Sequence, residues 1–381
     1  MICLLSGAKK NIGDFLISER AERLLRSVTS HEVVRLPNWE LLDDHLDVLR
    51  TCDGVVVAGG PGYRPDMYGG VYPLTREPAA LAALGIPVSF LGLGWKGDPG
   101  DDFDLAHYRF SDRTLSLIST LGASGRYSSR DRLSQRVLER NGVPHPVMSG
   151  CPVWYDLDSI GRSFEAPQAL SRIVFTPPEQ PVFHPQSKDL LQALVRTFPD
   201  AEIVVAFHRG IEADRFTSEA DAERLTAYAE FARALGCDVR DVSYDLERIA
   251  FYRDFDLHVG YRLHAHLCFM SYRKVSILLE EDGRGRGASE ALATPGVRAW
   301  ELTGASRMVR RLNSPLALRA AKRLRRPLKV ARPGSEVLSE TISAIDRERD
   351  AGYPSFSAAA RRIDERFPTM REFVSGTVRQ P

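Results

Sequence analysis

Short apolar runs, each closing on a glycine-bearing turn and followed by an amphipathic stretch, constrain this chain more than any other feature. Gly54–Ala58 (GVVVA) runs into Gly59-Gly60-Pro61-Gly62, and Val88–Leu91 runs into Gly92-Leu93-Gly94. Ile2–Leu5 and the β-branched stretch His31–Leu36 read as further strands. Helices are expected between them over 14–27, Leu41–Leu49 and 78–85; the first puts Phe15, Leu16, Ala21, Leu24 and Leu25 on one face. Runs that are apolar throughout, rather than alternating, indicate strands buried on both faces, hence a parallel sheet covered by helices. Ligands of such sheets bind outside the carboxyl ends of the strands. Glycine there serves either a tight turn or close approach to a ligand. Neither glycine turn matches a dinucleotide or phosphate-loop spacing, so both uses stay open.

The pattern starts again near residue 170. RIVFT (Arg172–Thr176), IVVAF (Ile203–Phe207), Cys237–Val242, DLHVG (Asp256–Gly260) and VSILL (Val275–Leu279) read as strands. Helices fall at 187–197, 219–235, Leu246–Tyr252 and Leu263–Ser271. Gly150, Pro152 and Pro167 interrupt the periodicity and mark a linker over 150–171. The expected fold class is therefore α/β, with two Rossmann-like, doubly wound domains facing a cleft: residues 1–155, then residues 165–335, with a helical tail over 336–381 that includes a helix around Ala358–Phe367.

Composition narrows the function. The 381 residues carry 51 Lys plus Arg against 50 Asp plus Glu, a net charge of +1, which argues against a nucleic-acid partner. Five cysteines stand singly, without the paired spacing of a disulfide framework or a zinc site, and read as buried thiols. The apolar run at the N-terminus, Ile2–Leu5, is a first strand rather than a signal peptide, and no stretch approaches the roughly 18 apolar residues of a membrane span. A cytoplasmic location is expected. Arg310, Arg311, Arg319, Lys322, Arg323, Arg325, Arg326 and Lys329 crowd the stretch 307–332, with Leu312, Leu316, Leu318 and Leu324 among them. Such a basic amphipathic segment suits solvent, an anionic membrane face or an acidic ligand.

The densest chemistry lies in Asp256–His266, where a strand hands over to a helix. Arg262 stands at the mouth of that helix and His264 in its first turn. A helix N-terminus offers unpaired N–H groups and a partial positive charge, and arginine adds a fork suited to phosphate or carboxylate. Histidine there can move a proton near neutral pH. The alternatives are three structural histidines or a metal cluster. The second is disfavoured, because His264 and His266 on one helix point about 200° apart. His208-Arg209-Gly210, ending another strand, is a further cleft candidate, equally suited to a structural loop. Asp14 is placed either as a cap of the first helix, which is slightly favoured, or as a ligand of substrate hydroxyls.

Several segments in order resemble the polysaccharide pyruvyl transferase family. These are Asn11-Ile12-Gly13-Asp14, Ala58-Gly59-Gly60-Pro61-Gly62, Ser129-Arg130-Asp131-Arg132-Leu133-Ser134 with Leu138 and Gly142, Gly150-Cys151-Pro152, and Gly260-Tyr261-Arg262-Leu263-His264. The resemblance implies a GT-B-like architecture and transfer of an enolpyruvyl unit from phosphoenolpyruvate to a cell-surface sugar, giving a pyruvate ketal. It implies His264 as general acid and Arg262, Leu263 and Arg130 as donor contacts. Asn11, Asp14, Gly60 and His208 remain acceptor or cleft candidates. No metal or organic cofactor is implied, since phosphoenolpyruvate is a co-substrate. The partners are then this donor and a saccharide or lipid-linked saccharide, with peripheral membrane contact through 307–332. After Leu279 the sequence departs from the family pattern: Glu280-Glu281-Asp282-Gly283-Arg284-Gly285-Arg286 replaces the usual basic triplet, and Arg284 or Arg286, on a flexible loop, is the expected substitute. A GT-B glycosyltransferase using a nucleotide sugar, and a silent glycan-binding relative, are the alternatives. Loops Tyr63–Tyr72 and Trp95–Tyr108 offer Tyr63, Tyr68, Tyr72 and Trp95 for stacking on sugars, or as ordinary loop residues.

Overall fold

A computed structural model describes residues 1–67, 74–122, 126–313 and 327–377. The first sheet contains β1 (Ile2–Ser6), β2 (Val33–Pro37), β3 (Gly54–Ala58), β4 (Val88–Leu93), β5 (Tyr127–Ser129) and β6 (Val147–Met148), in the order β2-β1-β3-β4-β5-β6. The second contains β7 (Arg172–Thr176), β8 (Glu202–Phe207), β9 (Asp238–Asp241), β10 (Leu257–Gly260), β11 (Val275–Glu280) and β12 (Gly296–Arg298), in the order β12-β11-β10-β7-β8-β9. Neighbouring strands in both are parallel. The apolar runs dictate this. Every residue of β1 and β10 is buried, as only a sheet covered on both faces allows. All five cysteines are buried and free.

Each sheet reverses its strand order at one place, between β1 and β3 in the first and between β7 and β10 in the second. Ligand crevices of doubly wound sheets open at such points. The chain that leaves β1 enters the helix Ile12–Val28, and the chain that leaves β10 enters Leu263–Ser271. The two crevices face each other.

Two expected elements differ in kind. Leu41–Leu49 is not one helix but a 3-10 turn, Leu42–His45, followed by the short helix Leu46–Leu49. Asp43 is drawn off to bind the loop that enters the next helix, accepting from Thr75 Oγ1 at 3.0 Å and from Arg76 N at 2.9 Å. The segment after β11 is no flexible loop: Gly283–Leu292 is helical, with Asp282 as its N-cap.

The two halves are locked together at their joint. Across it the backbone N–H of Ile12 donates to His208 O, Tyr244 to Lys10 O, and Gly283 to Gly97 O, each at 3.0 Å. Gly100 meets Gly283 so closely that a side-chain carbon on the former would overlap the latter's backbone. The helix Gly334–Asp350 packs on His184–Thr197 in the second half, and Pro354–Ser375 returns to the first helix. No helix among the described residues is long and apolar enough to cross a membrane.

Asp156, in the connection, is fully buried and pairs with the buried Arg20 of the first helix and, at 3.0 Å, with Arg253 of the second half. Ser159 Oγ donates to it at 2.6 Å. Removing one partner of a buried pair strands the other charge at a cost of about 3–5 kcal/mol. Asp156→Ala is therefore expected to lose about that much in urea unfolding. Exposed pairs such as Arg50–Asp47 should cost under about 1 kcal/mol.

Candidate functional site

At the second crevice Gly260 passes so close to Thr176 of β7 that a side-chain carbon there would collide with the threonine. That approach lets Arg262 N donate to Thr176 Oγ1 at 3.3 Å, and it sets the start of the helix whose N-cap position Arg262 occupies. The neighbouring histidines are spent on structure. His258 is hydrogen-bonded to Thr176 Oγ1 and Ser276 Oγ, and His266 to the same Ser276 Oγ, each at 2.8 Å. His264 is different. Its Nε2 is buried and has no hydrogen-bond partner, and Arg262 Nε shares that condition. Gly13, from the facing domain, makes room for the imidazole: a side-chain carbon on Gly13 would lie 2.5 Å from His264 Nδ1.

Three guanidinium groups stand near this ring. Burial, then Arg130, Arg284 and Arg262 in that order, hold His264 down at about 3, so the free protein carries it neutral. Arg130 is placed by the Ser-Arg-Asp segment. Asp131 caps the following helix by accepting from Ser134 N at 2.7 Å, and Ser134 Oγ accepts from Trp95 N at 3.1 Å. Arg130 Nη2 in turn donates to Trp95 O at 3.0 Å, through space that any side chain at Gly94 would fill. Arg284 sits in the first turn of its helix, where Nε and Nη2 donate to the Asp282 carboxylate at 2.8–3.0 Å. It lines the cleft cavity, whereas Arg286 turns away to Asp102 and Glu290, both at 2.7 Å.

Carboxylates balance the cations. Burial alone would raise Glu179, but Arg262, Arg284, Arg209 and Lys96 bring it to about 2. It pairs with Arg209 at 2.6 Å and Arg262 at 3.4 Å. Neither Glu179 nor Lys96 belongs to a recognisable motif; a charged residue just beyond a strand's carboxyl end was the one available signal. Glu281 is buried, and burial lifts it to about 7 despite Arg262. These groups line a cavity of about 370 Å³ between the domains, together with Leu263, Asn11, Asp14 and His208.

The first domain supplies the other wall. Asp14 does not cap its helix: it is the third helical residue, Asn11 holds the N-cap position without a side-chain cap bond, and Asn11 Nδ2 donates to Asp14 Oδ2 at 3.1 Å. The carboxyl therefore faces the cleft, where burial raises it to about 6 against the lowering effect of Asn11. Gly60 lies in an adjoining apolar recess that Asp14 also lines. His208 reaches the cavity edge, with Nε2 and Tyr252 Oη hydrogen-bonded at 2.7 Å. Tyr63 and Trp95 are fully buried core residues, because their apolar rings complete the first domain, so neither is free to stack on a sugar. Tyr68 and Tyr72 lie outside the described residues.

The basic stretch divides. Lys329 is buried, donating to Glu281 O and pairing with Asp98 at 2.9 Å, and Arg310 pairs with Asp101. Arg307, Met308, Arg311 and Leu312 are exposed, while Leu316, Leu318, Arg319, Lys322, Arg323, Leu324, Arg325 and Arg326 lie outside the described residues.

The family model for polysaccharide pyruvyl transferase matches residues 11–283. Among solved structures the chain is similar to the S. aureus MnaA–UDP co-structure, with 11% identity, 97% of this chain and 93% of that one covered, and a TM-score of 0.56. It is likewise similar to UDP-GlcNAc 2-epimerase from Neisseria meningitidis bound to UDP-GlcNAc, with 10% identity, 98% of each chain covered and a TM-score of 0.51. At these identities the likeness shows the fold, two Rossmann-like domains facing a cleft. No curated protein matches the chain.

Burial holds His266 down at about 3, well below the ordinary histidine value of about 6.5. Between those values the unfolded chain binds more protons than the native one, so this stability is complete above the unfolded value and is lost as pH falls. At about pH 5 His266 alone should cost on the order of 2 kcal/mol. The melting temperature should drop accordingly between about pH 7.5 and pH 5, and less steeply in His266→Gln. Independently, Gly94→Ala should displace Arg130 and weaken anion binding in the cleft by at least about tenfold in calorimetry, with the secondary structure retained.

Proposed function

The chain belongs to the polysaccharide pyruvyl transferase family, and from that premise we propose that it transfers the enolpyruvyl unit of phosphoenolpyruvate to a saccharide or lipid-linked saccharide of the cell envelope. One observation carries the reading: His264 Nε2 is buried and unpartnered beside three arginines whose charges already act on it. Phosphoenolpyruvate brings a phosphate and a carboxylate on a small skeleton, and Arg130, Arg262 and Arg284 offer forks for both. The helix beginning at Leu263 adds its N-terminal dipole. His264 then donates a proton to C3 of the donor, and cationic character at C2 invites the acceptor's hydroxyls. The enol phosphate is itself the activated group, so the reading calls for no metal or organic cofactor.

The histidine must gain its proton as the donor binds. Alone in the cleft it is neutral, because burial disfavours its charged form and the same arginines repel a proton. The donor's negative charges offset those arginines and raise the imidazole. Donor binding should take up close to one proton, measured calorimetrically in buffers of differing ionisation enthalpy, and affinity should fall as pH rises. Arg262→Ala should abolish binding. His264→Ala should keep binding within about tenfold, remove the proton uptake and lower turnover by roughly 10²–10⁴-fold.

A second reading, transfer from a nucleotide sugar, draws on the fold shared with the UDP-bound and UDP-GlcNAc-bound structures and on a recess of about 210 Å³ beside the cleft, lined by Pro181, His184, Phe216 and Arg224. Saturable binding of a nucleoside diphosphate, with none of phosphoenolpyruvate, would select it.

The exposed face bearing Arg307, Met308, Arg311 and Leu312 suits peripheral contact with anionic lipid at the cytoplasmic membrane face, where lipid-linked acceptors reside. Cosedimentation with phosphatidylglycerol vesicles should be lost in Arg307→Glu/Arg311→Glu and be absent with purely zwitterionic vesicles.

A further inference from the structure

The first domain also holds an unsatisfied polar atom, in the recess beside the cleft. Asn38 Oδ1, just beyond β2, is buried without a hydrogen-bond partner. Asn38 and Asp14 converge over Gly7: a side-chain carbon on Gly7 would stand 3.1 Å from Asn38 Nδ2 and 3.7 Å from Asp14 Cβ. Both residues line the recess at the carboxyl ends of β1 and β3, and Asp14 also lines the main cavity with His264. Gly13, packed against the His264 imidazole, directly precedes Asp14 in the chain. A carboxyl able to accept a proton thus lines, from one domain, the same cavity as the group able to donate one from the other, with Asn38 in the recess beside it.

We propose that Asp14 is the general base that takes the proton of the attacking acceptor hydroxyl, and that Asn38 Oδ1 accepts a hydrogen bond from the acceptor's second hydroxyl. The assignment rests on the pyruvyl-transfer reading. His264 gives its proton to C3, the first hydroxyl oxygen bonds to C2, and Asp14 takes the proton released. The bond from C2 to the phosphate oxygen then breaks with its electron pair on phosphate, which leaves as hydrogen phosphate with the proton held by Asp14. The second hydroxyl, aligned by Asn38, closes the ketal ring at C2, and its proton restores His264. Atoms and charge balance over the cycle: of the two hydroxyl protons, one replaces that given to C3 and the other departs on phosphate. The charged groups bearing on Asp14 are Arg209, Arg284 and Glu179 from the second domain, and Arg64, Lys9 and Lys10 line the cavity from the first. A carboxyl raised to about 6 in this setting suits a base working near neutrality.

The test is phosphate release from phosphoenolpyruvate with a panel of methyl hexopyranosides, measured against pH. Wild-type turnover should be bell-shaped, with an acid limb from Asp14, which must be ionised, and an alkaline limb from His264, which must be protonated. Asp14→Asn should lower kcat by roughly 10²-fold or more and lose the acid limb. Its calorimetric affinity for phosphoenolpyruvate should be no weaker than wild type, which also shows that the variant folds. Asn38→Ala should raise the acceptor KM at least about tenfold with a smaller effect on kcat. Asp14→Asn turnover within about threefold of wild type, or an acid limb that persists in it, overturns the base assignment and leaves pyruvyl transfer standing. A wild type that releases no phosphate with any of these diols overturns the transfer reading and this proposal together.

Discussion

Three largely buried guanidinium groups held close to one neutral imidazole set the terms for the rest of the molecule. Cations so placed repel one another and lose hydration, and they persist only where carboxylates stand behind them. Asp131 stands behind Arg130, Asp282 behind Arg284, and Glu179 beside Arg262. Each carboxylate is itself fixed by backbone or by a second cation: Asp131 and Asp282 cap helices, and Glu179 also holds Arg209. The field is therefore built before any ligand arrives, the arrangement that makes electrostatic stabilisation effective in enzymes.

Four glycines serve this packing. Gly13 makes way for His264, Gly94 for Arg130, Gly260 for the backbone of β7, and Gly100 for the helix that carries Arg284. In each case the missing side chain lets a side chain or backbone from a distant part of the chain come close. Two reversals of strand order, one per sheet, then face each other, so both domains contribute groups to one cleft.

Much of this was readable along the chain. Uniformly apolar runs announced both parallel sheets, and Gly260-Tyr261-Arg262-Leu263-His264 marked the strand-to-helix junction where Arg262 and His264 are found. The misreadings share one cause. Asp14 looked like a cap because aspartate near a helix start usually is one, yet its carboxyl is turned into the cleft. Tyr63 and Trp95 looked like loop aromatics but are buried in the first domain. The glycine-rich stretch after Leu279 looked flexible, and Asp282 made it a helix start. Lys329 and Arg310 looked like surface charge and proved to be bound internally. Local pattern does not say what a side chain meets across the molecule.

The sequence by itself determined the alternation of strand and helix, the burial of the strands and the ordered set of short segments. These depend on periodicity and on residues a few positions apart. Only the tertiary structure decided which histidine is free and which two are spent on Ser276, and which of two arginines, Arg284 rather than Arg286, turns into the cleft. It alone brought Asn38, just beyond β2, and Asp14, in the first helix, together over Gly7. The reason is physical. The charge state and free valence of a polar group are set by everything within a few ångströms, and in this fold many of those neighbours are distant along the chain.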